Sequence, residues 1–407
     1  MSLDVAPVRR VSWKVEVTFG YLLQVVSVVL LLLQHFLLPF VLGLRDYGLL
    51  ALTVGWSSLL FSGYDHGYNL LTIRRPALGR HYLANKLAIL SLAALGFLVY
   101  VRLEPDLPAG IFIPVLLQAI SFVVYTYLIN HEIAVGRLKR VVIFAVINGI
   151  LLILTPVAFA SAGIGITFAP AAATALSLFV VVAARRREPG LPARRPILRT
   201  PLRLTHLRRS FVKQGQISFG TIIDATIVWL GVVVIASQEG LEGAAVYRIV
   251  MSSIALLTQL LPLPKAVLLR LARTESSFSW AFRYLAILVL AGVVQIVAVY
   301  LIGRQAVSMV FSDTVDAIYS GVVLLSPIAL LKALLDLETI LYDRANRLSR
   351  LWSNGLIATV PGVAAFVALD LYWSILAFYV TLGVLSASAF LLTPSASGPL
   401  TARPRAG

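Results

Sequence analysis

Residues 25–41 read VVSVVLLLLQHFLLPFV. The run carries no acidic, lysine or arginine residue and, with its flanks, reaches the ~20 residues that a helix needs to cross a bilayer. It shows none of the period-two alternation of a barrel strand, so helix is the expected state. Similar runs recur along the chain, as in Leu87–Val101 and Gly292–Ile302 with their flanks. Of 407 residues, 59% are hydrophobic and 13% charged, with a mean hydropathy of +0.91. A soluble domain carries about 25% charged residues. The solvent for most of this chain is therefore lipid, which admits only helices or closed barrels.

The pattern predicts spans near 17–41, 48–72, 83–101, 111–133, 141–161, 164–184, 214–237, 243–264, 281–303, 317–341, 350–369 and 371–392. The fold class is thus all-α polytopic membrane protein, with about twelve transmembrane helices and both termini cytoplasmic. Charge asymmetry tests the topology, because lysine and arginine accumulate on the cytoplasmic side. With the N-terminus inside, the cytoplasmic segments hold all but five of the 34 basic residues. They take Lys86 after the second span and ten between Arg185 and Lys213. Arg45, Arg102 and Arg304 fall outside, while Arg248 and Lys332 lie within spans. Asp46, Glu104, Asp106, Glu239, Glu242, Asp313, Asp316 and Asp370 fall outside as well. The net charge of +16 is thereby read as a topology signal rather than a nucleic-acid footprint, and localisation as a multi-pass protein of the cytoplasmic membrane.

Residues 185–213 are rich in Pro and Arg and divide the chain. The expected organisation is a first six-helix lobe (1–184), a basic cytoplasmic linker (185–213), a second six-helix lobe (214–393) and a disordered tail (394–407). The linker reads as a tether against anionic headgroups, with docking of a protein partner as the other reading. Zero cysteines exclude disulfides and thiol chemistry. No Walker loop or nucleophile elbow occurs, and His131-Glu132 opens a zinc-protease pattern that Val135 does not close. Gly163-Ile164-Gly165 has Phe168 where a third glycine would stand. The outer loops are short. Transport is expected rather than catalysis, with no cofactor or metal.

Ionisable groups within a span are costly and face a cavity or one another. Gln24, Ser27, Leu31 and Gln34 share one helical face, with His35 beside it; Ser218, Thr221 and Asp224 share another; Arg248, Ser252, Ala255 and Gln259 a third. Interhelical hydrogen bonding accounts equally well for the uncharged members, whereas Asp224 and Arg248 point to a cavity. Arg248 is expected roughly 9 Å below the outer surface at ~1.5 Å per residue. A second group near the inner ends comprises Asp65, His66, His131, Glu132, Lys332, Asp336 and Glu338; Lys332 and Asp336 have the spacing of a pair within one helix.

Residues 36–75, FLLPFVLGLRDYGLLALTVGWSSLLFSGYDHGYNLLTIRR, resemble the start of the polysaccharide flippases of the multidrug/oligosaccharidyl-lipid/polysaccharide exporter superfamily. The matching features are Pro39 closing the first span, Leu42-Gly43, Tyr47-Gly48, Asp65 and Gly67, and Arg74-Arg75. Residues 240–248, GLEGAAVYR, partly echo 43–50, with closing prolines Pro262 and Pro264 after them. The resemblance implies two lobes that alternate access and a polyprenyl-(pyro)phosphate-linked oligosaccharide as cargo, moved to the outer leaflet for surface polysaccharide biosynthesis. Membrane lipids and polysaccharide polymerase or assembly proteins are the implied partners. Candidate substrate contacts are Arg248, Arg74, Arg75 and Lys332 for phosphate or anionic sugar, with Asp224, Gln24, Gln34 and Gln259 lining the path. The planar guanidinium suits phosphate. The alternatives are a drug or metabolite antiporter of the same superfamily, with Asp224 as coupling acid, a membrane glycosyltransferase or polymerase, and a non-transporting scaffold.

Overall fold

A computed structural model describes residues 13–74, 79–103, 109–186, 204–261, 278–344 and 348–392. Among them every regular element is helical. The first helix, α1 (Trp13–Leu32), passes through a π turn (Leu33–Leu37) into α2 (Leu38–Leu42). Then follow α3 (Leu44–Arg74), α4 (Gly79–Leu103), α5 (Phe112–Ala134), α6 (Leu138–Ser161) and α7 (Ala169–Arg186). The second half comprises α8 (Leu204–Leu260), α9 (Phe278–Ser308), α10 (Val315–Arg344), α11 (Leu348–Ala368) and α12 (Leu371–Leu392). The predicted spans overlap these helices wherever their residues are described, and eight segments are long and apolar enough to cross a membrane. Large apolar side chains such as Leu92, Phe179 and Val294 stand exposed on the helix surfaces. In water that would be prohibitive, and it is the face a lipid-embedded bundle presents. Arg9, Arg10, Arg75, the middle of the linker and the tail 394–407 lie outside the described residues.

Two prolines and two glycines shape the halves. At the end that the charge pattern assigns to the outside, Pro39 has no N–H to return to the carbonyl four residues back, and its ring would crowd that carbonyl. The helix widens just before it, with the Leu38 N–H bonded to the Leu33 carbonyl, and this π turn carries His35 into the interior, 3% exposed. Pro327 lies inside α10. Gly43 (φ 80) ends α2, and Gly240 (φ 80, ψ −170) bends α8 into two helices. Both adopt a backbone that a side chain disfavours. They occupy matching positions, between the first and second spans of each half.

The two halves pack most extensively through α3 and α8. Small residues allow it. A Cβ on Gly48 would stand 1.9 Å from the Leu241 carbonyl oxygen, and Ala244 and Ala245 are fully buried. Leu38, Tyr47, Leu50 and Ala51 join one core with Val232, Tyr247, Ile249 and Val250, continuous with α10 and α12. Within α8 the Tyr247 ring lies over Gly231, where a Cβ would be 2.2 Å from its hydroxyl. The first half keeps a separate core around Tyr64, Tyr68, Tyr82, Val115 and Val123 on α3 to α5.

Candidate functional site

The π turn, the start of α3 and the outer part of α8 converge on a polar node between the halves. His35 Nδ1 lies 2.6 Å from the Tyr47 hydroxyl, and the two rings meet edge to face at 6.4 Å. The Arg248 guanidinium faces the same hydroxyl as a donor, and its central carbon sits 4.2 Å over the Trp229 ring. Both partners are partly buried, where a cation over an indole face is attracted by about 1 kcal/mol. Arg248 lies eight residues beyond the Gly240 bend, roughly 12 Å along the helix at ~1.5 Å per residue. It has no carboxylate partner among the described residues, so its charge is held there by a ring and a hydroxyl.

A second tie joins the halves at the opposite end of α8. Gln24 Nε2 of α1 donates to the carbonyls of Gln259 and Leu261, the latter at 2.9 Å. Gln295 Nε2 of α9 donates to the Leu257 carbonyl at 2.7 Å. The last carbonyls of a helix have no partner within it, and Pro262 and Pro264 cannot donate N–H groups to prolong the ladder. Two side-chain amides take that role. Gln24 and Gln259, expected on separate polar faces, meet here through the Gln24 side chain and the Gln259 backbone. Gln34 sits partly buried on the π turn beside His35.

Lys332 is on α10, its Nζ 5.4 Å from the centroid of the Tyr379 ring of α12. The side chains of Asp224, Arg74 and Asp336, and all of Arg75, lie outside the described residues.

Asp65 and Glu132 of the inner group each sit in a charge cluster of the first half whose basic partner the sequence reading did not assign. Lys86, counted there as a cytoplasmic charge, is instead completely buried on α4. It meets Asp65 Oδ1 at 2.5 Å and Asn69 Oδ1 at 2.6 Å. Asn69 donates back to Asp65 Oδ2 at 2.6 Å, and Thr126 of α5 reaches Asp65 Oδ1 at 3.3 Å. Nearer the inner end, Glu132 is 1% exposed and accepts from Arg185 at 2.6 and 2.7 Å. Arg185 also donates to the Leu128 carbonyl at 3.1 Å, and Arg137 stands 3.7 Å from the second oxygen of Glu132. Arg185, the first residue of the expected linker, stands in the last turn of α7 and is held against α5. The signal available in the sequence was an acid within each apolar run. The partners lie on other helices, at separations no motif encodes.

The fold is that of the MATE transporters. The chain is similar to the eukaryotic MATE transporter AtDTX14, with 14% identity, a TM-score of 0.54, and coverage of 93% of this chain and 92% of that one. It is likewise similar to the MATE multidrug transporter DinF-BH, solved in complex with a ligand, with 13% identity, a TM-score of 0.60, and coverage of 93% and 95%. A multidrug resistance MATE family transporter of the MOP superfamily in an inward-facing conformation gives 14% identity, a TM-score of 0.52, and coverage of 93% and 96%. No protein-family model and no curated protein sequence matches the chain.

Proposed function

We propose that the protein is a membrane exporter that works by alternating access between its two halves, with an amphipathic drug or metabolite as cargo. The observation that carries this reading is the fold, a full-length likeness to multidrug transporters. The polar ties support it. Gln24 joins α1 to the C-terminal end of α8, and the Tyr47–Arg248 contact joins α3 to α8 just beyond the Gly240 bend. A carrier that opens to one face at a time needs contacts of this kind, each made in one state and broken in the other. Twelve crossings, cytoplasmic termini and a cytoplasmic-membrane location complete the reading and follow from the charge pattern.

A second reading, flipping of a polyprenyl-phosphate-linked oligosaccharide, is favoured by the charge balance. Asp65 and Glu132 are neutralised by Lys86 and Arg185 of the same chain, while Arg248 has no acid beside it among the described residues. The uncompensated charge is positive, as an anionic headgroup requires, and residues 36–75 point the same way.

One experiment separates the two. Cells with and without the gene are assayed for efflux of amphipathic dyes and for the leaflet in which lipid-linked oligosaccharide accumulates. Dye retention on deletion supports the drug or metabolite exporter; accumulation on the cytoplasmic leaflet supports the flippase. The absence of both effects sinks the exporter reading. In either case Arg248→Ala should abolish export while the protein still inserts, and normal export by this variant removes Arg248 from the transport path.

A further inference from the structure

The node between the halves contains a titratable side chain, His35, that is not among the candidate cargo contacts. Arginine has only donors to offer, so in the Arg248–Tyr47 bond the hydroxyl oxygen is the acceptor. The hydroxyl is then left with one proton to give, and the acceptor in reach is His35 Nδ1 at 2.6 Å. The order of donation runs from Arg248 to Tyr47 to His35, across the contact between the halves. In this arrangement His35 is neutral, with its own proton on Nε2.

We infer that His35 is a proton-binding site and that proton uptake there opens the outer end of the molecule. A proton on Nδ1 makes His35 a donor. Both neighbours of the Tyr47 hydroxyl are then donors, and its own proton has lost its acceptor. An imidazolium and a guanidinium also converge on one oxygen in a buried place, where like charges repel strongly. Among the described residues no acid stands by to absorb the charge. The groups facing His35 are Tyr47 from α3 and Arg248 from α8. The remaining residues of the π turn and α2 carry no ionisable side chain. Helix α6, which also packs against the turn, has its ionisable residues, Lys139 and Arg140, only in its first turn at the far end. Separation of the Gly43–Gly48 corner from the Leu241–Arg248 segment relieves both conflicts. The sign is fixed by the geometry: the neutral histidine fits the closed outer end, the protonated one the open end. Acid outside therefore holds the exit open, and closure follows proton loss.

The inference rests on the alternating-access reading but not on the nature of the cargo. The chain is free of cysteine, so two introduced thiols can carry spin labels without background. Arg45→Cys on α3 and Gln238→Cys on α8 are exposed sites on opposite sides of the contact. Distances are measured by pulsed electron paramagnetic resonance on the full chain in lipid nanodiscs, between about pH 5.5 and pH 8, the range over which histidine titrates. The expected result is a shift from short to long distances on acidification. His35→Gln, whose amide oxygen accepts the Tyr47 proton but takes up none, stays short throughout. Tyr47→Phe, which removes the shared hydroxyl, is already long at the alkaline end, and it serves if His35→Gln does not insert. No pH shift in the parent, an equal shift in His35→Gln, or a parent-like response in Tyr47→Phe overturns the site. A pair that is blind to pH yet lengthens with Arg248→Ala or with an added amphipathic dye refutes the histidine and leaves alternating access standing. A pair that changes under none of these refutes both.

Discussion

Lys86→Met should be among the most damaging single substitutions in the first half. The wild-type ammonium is completely buried and bonded to Asp65 and Asn69 at 2.5 and 2.6 Å. Methionine fills most of the volume but leaves the Asp65 carboxyl in an apolar interior with Asn69 and Thr126 as its remaining partners. Removing one member of a buried pair costs ~3–5 kcal/mol, whereas replacing both by neutral groups is often close to neutral. For cooperative units of about the size of one half, each kcal/mol lowers Tm by ~2–4 °C. The expected fall for Lys86→Met is therefore roughly 6–20 °C, read from intrinsic fluorescence of the six tryptophans in detergent. Asp65→Asn combined with Lys86→Met should recover most of the loss, because the unpaired charge is gone. The reasoning is refuted if the single variant melts with the parent. It is refuted equally if the double variant is as unstable as Lys86→Met alone, since the damage would then come from packing rather than from stranded charge.

Gly48→Ala places a Cβ on the Leu241 carbonyl, so α3 and α8 must part at the outer end; overpacking of this kind costs ~1–3 kcal/mol, and export from vesicles should fall several-fold with melting lowered by a few degrees. Gln24→Ala strands the Gln259 and Leu261 carbonyls, at ~1–3 kcal/mol for unsatisfied buried acceptors; amide hydrogen exchange at the inner end of α8 should quicken, and unchanged exchange would deny Gln24 its capping role. Glu132→Ala should destabilise by ~3 kcal/mol or more through the stranded Arg185. Arg185→Lys should be clearly less stable than the parent by thermal melting, because lysine lacks the planar fork.

The fold was legible because lipid leaves the chain few choices. A bilayer requires each crossing to be a long apolar helix, so composition alone marked the spans, and Gly43 and Gly240 fall where two spans needed a sharp corner. The candidate site was legible one helix at a time. Gln24, Gln259 and Arg248 stood out because polar groups in apolar runs must be accounted for, and Tyr47 lay within the stretch that resembled the flippases. Their partners did not follow from spacing. Arg248 meets a hydroxyl from another helix and a ring nineteen residues back along its own. Gln24 meets backbone, which carries no sequence signature at all.

The same limit explains the misplacement of Lys86 and Arg185. Both stand near predicted span ends, where the positive-inside rule assigns basic residues to the cytoplasm. That rule concerns charges with access to water, and access is decided by neighbours. Asp65 is 21 residues from Lys86, and Glu132 is 53 from Arg185. An acid buried among helices is costly in hydrocarbon unless a cation answers it. The acids at 65 and 132 therefore already implied two cations drawn inward from the count. The consequence for function is direct. At the contact between α3 and α8 the exposed positions carry Arg45, Asp46, Glu239 and Glu242, while the charge further in is Arg248, which rests on a tyrosine whose other partner is a histidine. The chain commits Asp65 and Glu132 to its own lysine and arginine, and places an arginine where α3 and α8 meet.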